Sequence, residues 1–280
     1  MPLCGINFVE IQKPLLTRVL KWGGVESKLI EIEEGTTIHC WVPTKDTKPP
    51  LVLVHGFAAE GGVTWQFQVG ALSKHYSVYV PDMLFFGKST TVRKERSENF
   101  QAECLMKMLR KLGVVSCAMV GFSYGGMVAF KVAEFYPELV NCLVISGSVI
   151  AMTDSISQAQ LNRLGFSSSA ELLLPTSVRG LKALFSVACY KKLWLPDFLF
   201  NDFLEVMFNN REERAELLEA LVESNKEAQV PNLSQVIRTM TYLIDGLFVF
   251  NFLQSSKYSK NHFHFYWQVP IGSINGFLDC

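Results

Sequence analysis

The sequence predicts an α/β fold, a mostly parallel sheet with helices on both faces. Three observations point there. Short apolar runs that read as buried strands, at residues 51–54, 76–80, 117–120 and 139–146, alternate with segments of helical spacing. Strand and helix alternating across short loops is the pattern of a parallel sheet covered on both sides. The pentapeptide Gly121-Phe122-Ser123-Tyr124-Gly125 lies between one such strand and the helix-like run 127–133. Hydrophobic residues make up 49% of the 280, so a sizeable core is available and disorder is not expected.

Taken in order, residues 8–22 set Val9, Ile11, Leu15, Leu16, Val19 and Leu20 at helical spacing among Glu10, Lys13 and Arg18. Such a stripe usually faces a core; contact with a membrane surface or a lid is the sharper alternative. Residues 28–33 and 37–42 read as a hairpin around Glu34-Gly35. The strands at 51–54 and 76–80 follow, interleaved with helices near 64–72 and 97–112. After the strand at 139–146 the pattern breaks. From Ser155 to about residue 229 the segments, among them 178–190 and 211–225, are helical and amphipathic with no strand between them.

That helical insertion emerges beside the carboxyl ends of the strands, where sheets of this class bind ligands. It is expected to be a lid; a helical subdomain serving stability alone is the plainer alternative. The chain thus divides into a core at 1–150, a helical lid at 151–232 and a divergent tail at 233–280. The lid's Leu184, Phe185, Leu193, Trp194, Leu195, Phe198 and Phe200 suit an apolar acyl or alkyl group, although lids bury such residues for packing as well.

Lys+Arg and Asp+Glu number 26 each, so no charge excess argues for nucleic acid or a cationic partner. The seven cysteines are scattered, odd in number and never spaced C-x-x-C, which suits free thiols in a reducing, cytoplasmic setting. The first residues lack a basic segment followed by an apolar run, and no stretch is long and apolar enough to span a bilayer, so neither a secretory signal nor a membrane span is expected. Oligomeric state is not legible, and no metal-ligand cluster or cofactor motif is present.

The chemistry concentrates around Ser123. A strand, a G-x-S-x-G turn and a helix lift a hydroxyl clear of the sheet beside a helix N-terminus, which favours developing negative charge. The backbone N–H groups of Phe57 and Tyr124 are expected to converge on an oxyanion beside Ser123 Oγ. His55, at the end of the preceding strand, suits a hydrogen bond orienting that loop better than the part of catalytic base. Phe85 and Phe86 are candidate pocket residues together with His55, with a part as ordinary loop anchors the plainer alternative for the two aromatics. His39 and His75 read as structural or exposed.

His55-Gly56-Phe57, Pro81-Asp82-x-x-Phe85-Phe86-Gly87-x-Ser89 and Gly121 to Ala129 resemble plant serine hydrolases of the α/β-hydrolase superfamily, of esterase, lipase and monoacylglycerol-lipase type. The resemblance runs to about Asn232. It implies a small-molecule or lipid-like ester as substrate, an acyl-enzyme on Ser123 and no cofactor. Members with epoxide-hydrolase activity carry aspartate at the position of Ser123.

The resemblance also implies an acid after the seventh strand and a histidine after the eighth. No familiar segment of either kind is present, and the Phe- and Tyr-rich tail reads as an altered or truncated ending in which the last two strands are missing or changed. The strand at 139–146 is then expected to be an open edge, with a destabilised protein as the consequence. The rival reading makes residues 236–244 the seventh strand, with Asp245 as acid and His262 or His264 as base. The stretch between Asp245 and His262 is short against the roughly thirty residues of a strand–crossover–strand unit.

Overall fold

A computed structural model describes residues 7–148, 152–188, 194–223 and 238–241. It begins with α1 (Phe8–Trp22), whose first turn is capped where Asn7 Oδ1 accepts the Glu10 N–H at 3.0 Å. The hairpin β1 (Val25–Glu33) and β2 (Thr36–Pro43) follows. Next come β3 (Pro50–Val54), α2 (Gly61–Leu72), β4 (Ser77–Pro81), the short β5 (Thr90–Thr91), α3 (Glu98–Lys111), β6 (Cys117–Phe122), α4 (Tyr124–Phe135) and β7 (Val140–Ser146).

The main sheet runs β1-β2-β4-β3-β6-β7, antiparallel at β1–β2 and β2–β4 and parallel from β4 to β7. Leu51 and Leu53 of β3 pack with Leu20 of α1 and Trp65 and Val69 of α2. Val52 and Val54 point the other way, among Leu105 and Met108 of α3 and Val128 of α4. Side chains alternate along a strand, so a strand covered on both faces must be apolar at every position. That is why β3 reads as one continuous apolar run.

Beyond β7 the structure bears out a helical insertion. It consists of β8 (Met152–Thr153), α5 (Asp154–Leu164), α6 (Ser169–Leu173), α7 (Val178–Ala188), α8 (Asp197–Met207), α9 (Arg211–Ala220) and β9 (Val222–Glu223). Two expectations are corrected. The insertion is not free of strands, because β9 pairs in parallel with β8 and ties its two ends together. Nor is β7 an open edge: β10 (Arg238–Thr241) pairs with it in parallel, from Arg238↔Cys142 to Thr241↔Ile145. Backbone pairing along the edge needs no particular side-chain pattern, which is why composition alone left it in doubt.

Candidate active site

Ser123 sits in the one-residue turn between β6 and α4, at φ 52° and ψ −123°. Few residues other than glycine adopt such a conformation, and it persists only where the surroundings enforce it. The Ser123 N–H donates to Ser146 O at 2.9 Å and the Gly126 N–H donates to Ser123 O at 2.8 Å, fixing the turn from both sides. The flanking glycines are steric necessities. A Cβ on Gly121 would lie 2.6 Å from Gly126 Cα, and one on Gly125 would lie 2.3 Å from His55 O.

The loop after β3 runs against this turn: a Cβ on Gly56 would lie 3.2 Å from Ser123 Cβ. His55 is fully buried, and both ring nitrogens are engaged by backbone. Nδ1 donates to Gly56 O at 2.7 Å, and Nε2 accepts the Met83 N–H at 3.0 Å. Burial lowers its pKa and favours the neutral ring. His55 therefore braces the loop that carries Phe57. Among the described residues, neither the Phe57 nor the Tyr124 N–H has a hydrogen-bond acceptor.

Beside Ser123 lies an apolar cavity of about 60 Å³. Gly56, Phe57, Val63 and Phe122 line it from the core, and Leu184, Phe185 and Phe203 from the helical insertion. His55, Phe85 and Phe86 are absent from its lining, which corrects the expectation that they form the pocket. They are held beneath it: the Phe86 ring meets those of His55 and Phe57 edge-on, with centroids 5.1 and 5.2 Å apart. Phe85 bends at φ 73° and turns its carbonyl toward α9.

Two buried polar assemblies in this region were not foreseen from sequence. Arg214 of α9, only 2% exposed, donates to Phe85 O at 3.0 Å, Met207 O at 2.6 Å and Asn209 Oδ1 at 2.9 Å, with its guanidinium 4.2 Å from the Phe86 ring centroid. Burial lowers its pKa to about 10. The second joins Ser27, His39 and Asp82: Ser27 Oγ lies 2.8 Å from His39 Nε2, and His39 Nδ1 lies 2.7 Å from Asp82 Oδ2. These residue types in this order make a hydrolytic triad elsewhere. Ser27, however, lies within the nine-residue strand β1, with no glycine turn and no helix N-terminus beside it.

Asp245, His262 and His264 lie outside the described residues, as do residues 1–6 of the predicted non-signal N-terminus and the lid's Leu193. Among the described residues no group of three His, Cys, Asp or Glu side chains is placed to hold a metal, and no helix is long and apolar enough to cross a membrane. Cys40, Cys104, Cys117 and Cys142 are buried and form no disulfide among the described residues. Burial pushes the Cys104 and Cys117 thiols up to about 12, so they behave as small apolar groups.

Together these features define an α/β-hydrolase fold. A sequence profile of the alpha/beta hydrolase fold matches residues 49–168. The chain is similar to human Epoxide hydrolase 4, with 30% identity over 124 residues, which cover 38% of this chain and 33% of that protein. It thus spans about a third of that relative's length. Similarity to the 2-hydroxy-6-oxononadienedioate/2-hydroxy-6-oxononatrienedioate hydrolase of a Pseudomonas species is 26% over 228 residues and covers 79% of each chain. Lip1 of Acinetobacter baumannii AYE, described as a lipase, superposes with a TM-score of 0.68 at 21% identity, over 82% of this chain and 77% of that one. At that identity the superposition speaks for the fold alone.

Proposed function

We propose that this chain belongs to a carboxylic-ester hydrolase lineage, of the plant serine-hydrolase type, acting through an acyl-enzyme on Ser123 upon a small or lipid-like ester. The observation that carries this reading is the strained turn at Ser123, held between two obligatory glycines at the start of α4 and opening onto an apolar cavity. Strain of this kind costs about 1–3 kcal/mol and collects where chemistry is done.

In the proposed reaction Ser123 Oγ attacks the ester carbonyl carbon. The Phe57 and Tyr124 amides bind the developing oxyanion, the alcohol leaves, and water releases the acid from the acyl-enzyme. Each such donor contributes about 3 kcal/mol in the transition state. Ser123 stands where the resembling epoxide hydrolases have aspartate, which favours ester over epoxide chemistry despite the similarity to Epoxide hydrolase 4. The apolar residues from α7 and α8 at the cavity support a lid role for the insertion and an apolar acyl or alkyl group in the substrate.

For the acid, β10 supplies support. It is parallel to β6 and β7, so its carboxyl end points to the edge of the sheet from which Ser123 emerges, and Asp245 follows Thr241 by four residues in sequence. Asp245 with His262 or His264 completes the proposed triad. A fluorophosphonate probe tests the reading without knowledge of the substrate. Rapid labelling of the full chain, absent from Ser123→Ala and much slowed in Asp245→Asn, is expected. A folded protein that is not labelled would instead be a hydrolase-fold binding module or a truncated product.

A further inference from the structure

Five large apolar residues of α1 point into solvent: Phe8, Ile11, Leu15, Val19 and Trp22, with exposures from 37% at Phe8 to 83% at Trp22. At 3.6 residues per turn they fall within about 80° of arc. The face carrying buried Leu20 lies roughly 140° round the helix from the centre of this stripe. The stripe is therefore a second apolar face, which packing on the sheet does not use. Lys13 is paired with Glu10 at 2.7 Å on the side of the helix near Leu20, which leaves Arg18 and Lys21 as the basic residues flanking the stripe.

We propose that α1 is an interfacial helix that docks this protein on an anionic lipid surface. Arg18 and Lys21 are complementary to anionic headgroups, and basic residues beside exposed Trp, Phe and Leu are found in helices that lie in the plane of a bilayer interface. The apolar surface continues beyond α1. The Phe8 ring meets that of Phe198 in α8 at 5.4 Å, and four residues before Phe198 stands Trp194, which is 93% exposed. Phe8 N–H donates to Asp202 Oδ2 at 2.8 Å, joining the start of α1 to α8 a second time.

The docking face is also connected to the candidate site. α1 packs on α2 and α8, which lend Val63 and Phe203 to the cavity beside Ser123. α1 is thus the element between the docking face and two helices that help enclose the cavity. This deepens the reading of the substrate as a lipid-like ester and rests on it for its purpose, although the docking itself is a separate property.

Co-sedimentation of the full chain with vesicles tests the proposal, using phosphatidylcholine alone and phosphatidylcholine mixed with phosphatidylserine. Binding to the mixed vesicles is expected, and Arg18→Gln with Lys21→Gln should weaken it on the order of 30-fold, about fivefold for each basic residue lost. Ile11→Glu with Leu15→Glu should abolish it while circular dichroism stays unchanged, since both positions are already solvated. Ser123→Ala should bind as the parent does, so a failure of the proposed chemistry would leave this result standing, and probe labelling in the absence of lipid reports that chemistry separately. A folded parent that ignores mixed vesicles overturns the proposal. So does binding that survives Ile11→Glu with Leu15→Glu, and so does a self-associated chain that ignores vesicles and is dispersed by that pair, which would make the stripe a contact between protein copies.

Discussion

His39 Nδ1 and Asp82 Oδ2 lie 2.7 Å apart, with side chains only 4% and 2% exposed. A carboxylate only accepts, so the proton of this bond resides on Nδ1. The same carboxylate accepts the Gly61 N–H at 2.8 Å, at the start of α2, and the Lys88 N–H at 3.4 Å. Asp82 therefore joins β2, the head of α2 and the loop after β4. It crowds Gly87 as well, where a Cβ would come within 2.0 Å of Oδ2.

Replacing Asp82 by Asn sets an amide donor either against His39 Nδ1–H and the Lys88 N–H or against the Gly61 N–H, while removing a buried charge from its partners. Such losses cost about 2–4 kcal/mol. Urea unfolding should show that loss for Asp82→Asn at neutral pH. A change under about 0.5 kcal/mol, the scatter of ordinary surface substitutions, would mean that the pair does not hold these elements together.

Arg214 makes a second prediction. Its guanidinium meets three acceptors on two segments, one of them Phe85 O, which also receives the Asn210 side-chain amide at 3.2 Å. Met at this position keeps the bulk but leaves Met207 O without its donor, and Lys cannot reproduce the planar fork. Both variants should lose about 2–3 kcal/mol. Limited proteolysis should then cut within the α5–α9 insertion before the core unfolds, if Arg214 is what fastens α9 to the loop beneath the cavity. Cutting in the core at the same rate would contradict that.

The contrast between Ser123 and Arg214 shows what a sequence can display. Glycine spacing, an apolar strand before and a helical run after are local signals, so the elbow and the order of elements from α1 to β7 could be read directly. Arg214 meets Phe85 across 129 positions and Asp82 meets His39 across 43, and no local pattern marks either as buried. Loop aromatics near a nucleophile often line its pocket, which is why the sequence suggests that place for Phe85 and Phe86. Their burial depends on α9, which arrives from far along the chain. The edge of β7 is hidden from the sequence for a related reason: four residues of backbone pairing cover it, and they lie in a tail whose composition is unlike the rest.

Glu60 supplies a pH dependence. Burial raises its carboxyl pKa, with the negative charge of Asp82 adding to the effect and the charge of Lys13 opposing it. The folded protein thus favours the protonated acid more than the unfolded chain does. The associated stability is fully present below the unfolded value near 4.5 and is lost as pH rises through the higher folded value. Glu60→Gln removes this titration. Thermal unfolding should show the variant close to the parent below about pH 4, with an advantage that grows above that and levels off toward neutrality. An advantage independent of pH would assign the effect to packing.

Ser123 closes the link between strain and function. At φ 52° and ψ −123° any residue with a Cβ is strained, so Ser123→Ala should leave the strain in place and Ser123→Gly should relieve it. The relief, about 1–3 kcal/mol, is partly offset by roughly 0.5–1 kcal/mol from the greater freedom of glycine in the unfolded chain. Ser123→Gly should therefore be more stable than Ser123→Ala by about 1 kcal/mol, read as a rise in melting temperature of roughly 2–4 °C. Neither variant should react with the fluorophosphonate probe. Stability gained by discarding the Cβ would mean the turn is kept strained for the sake of the side chain it presents. A glycine variant no more stable than the alanine one would remove strain as evidence for the site, and the case for a nucleophile would then rest on probe labelling alone.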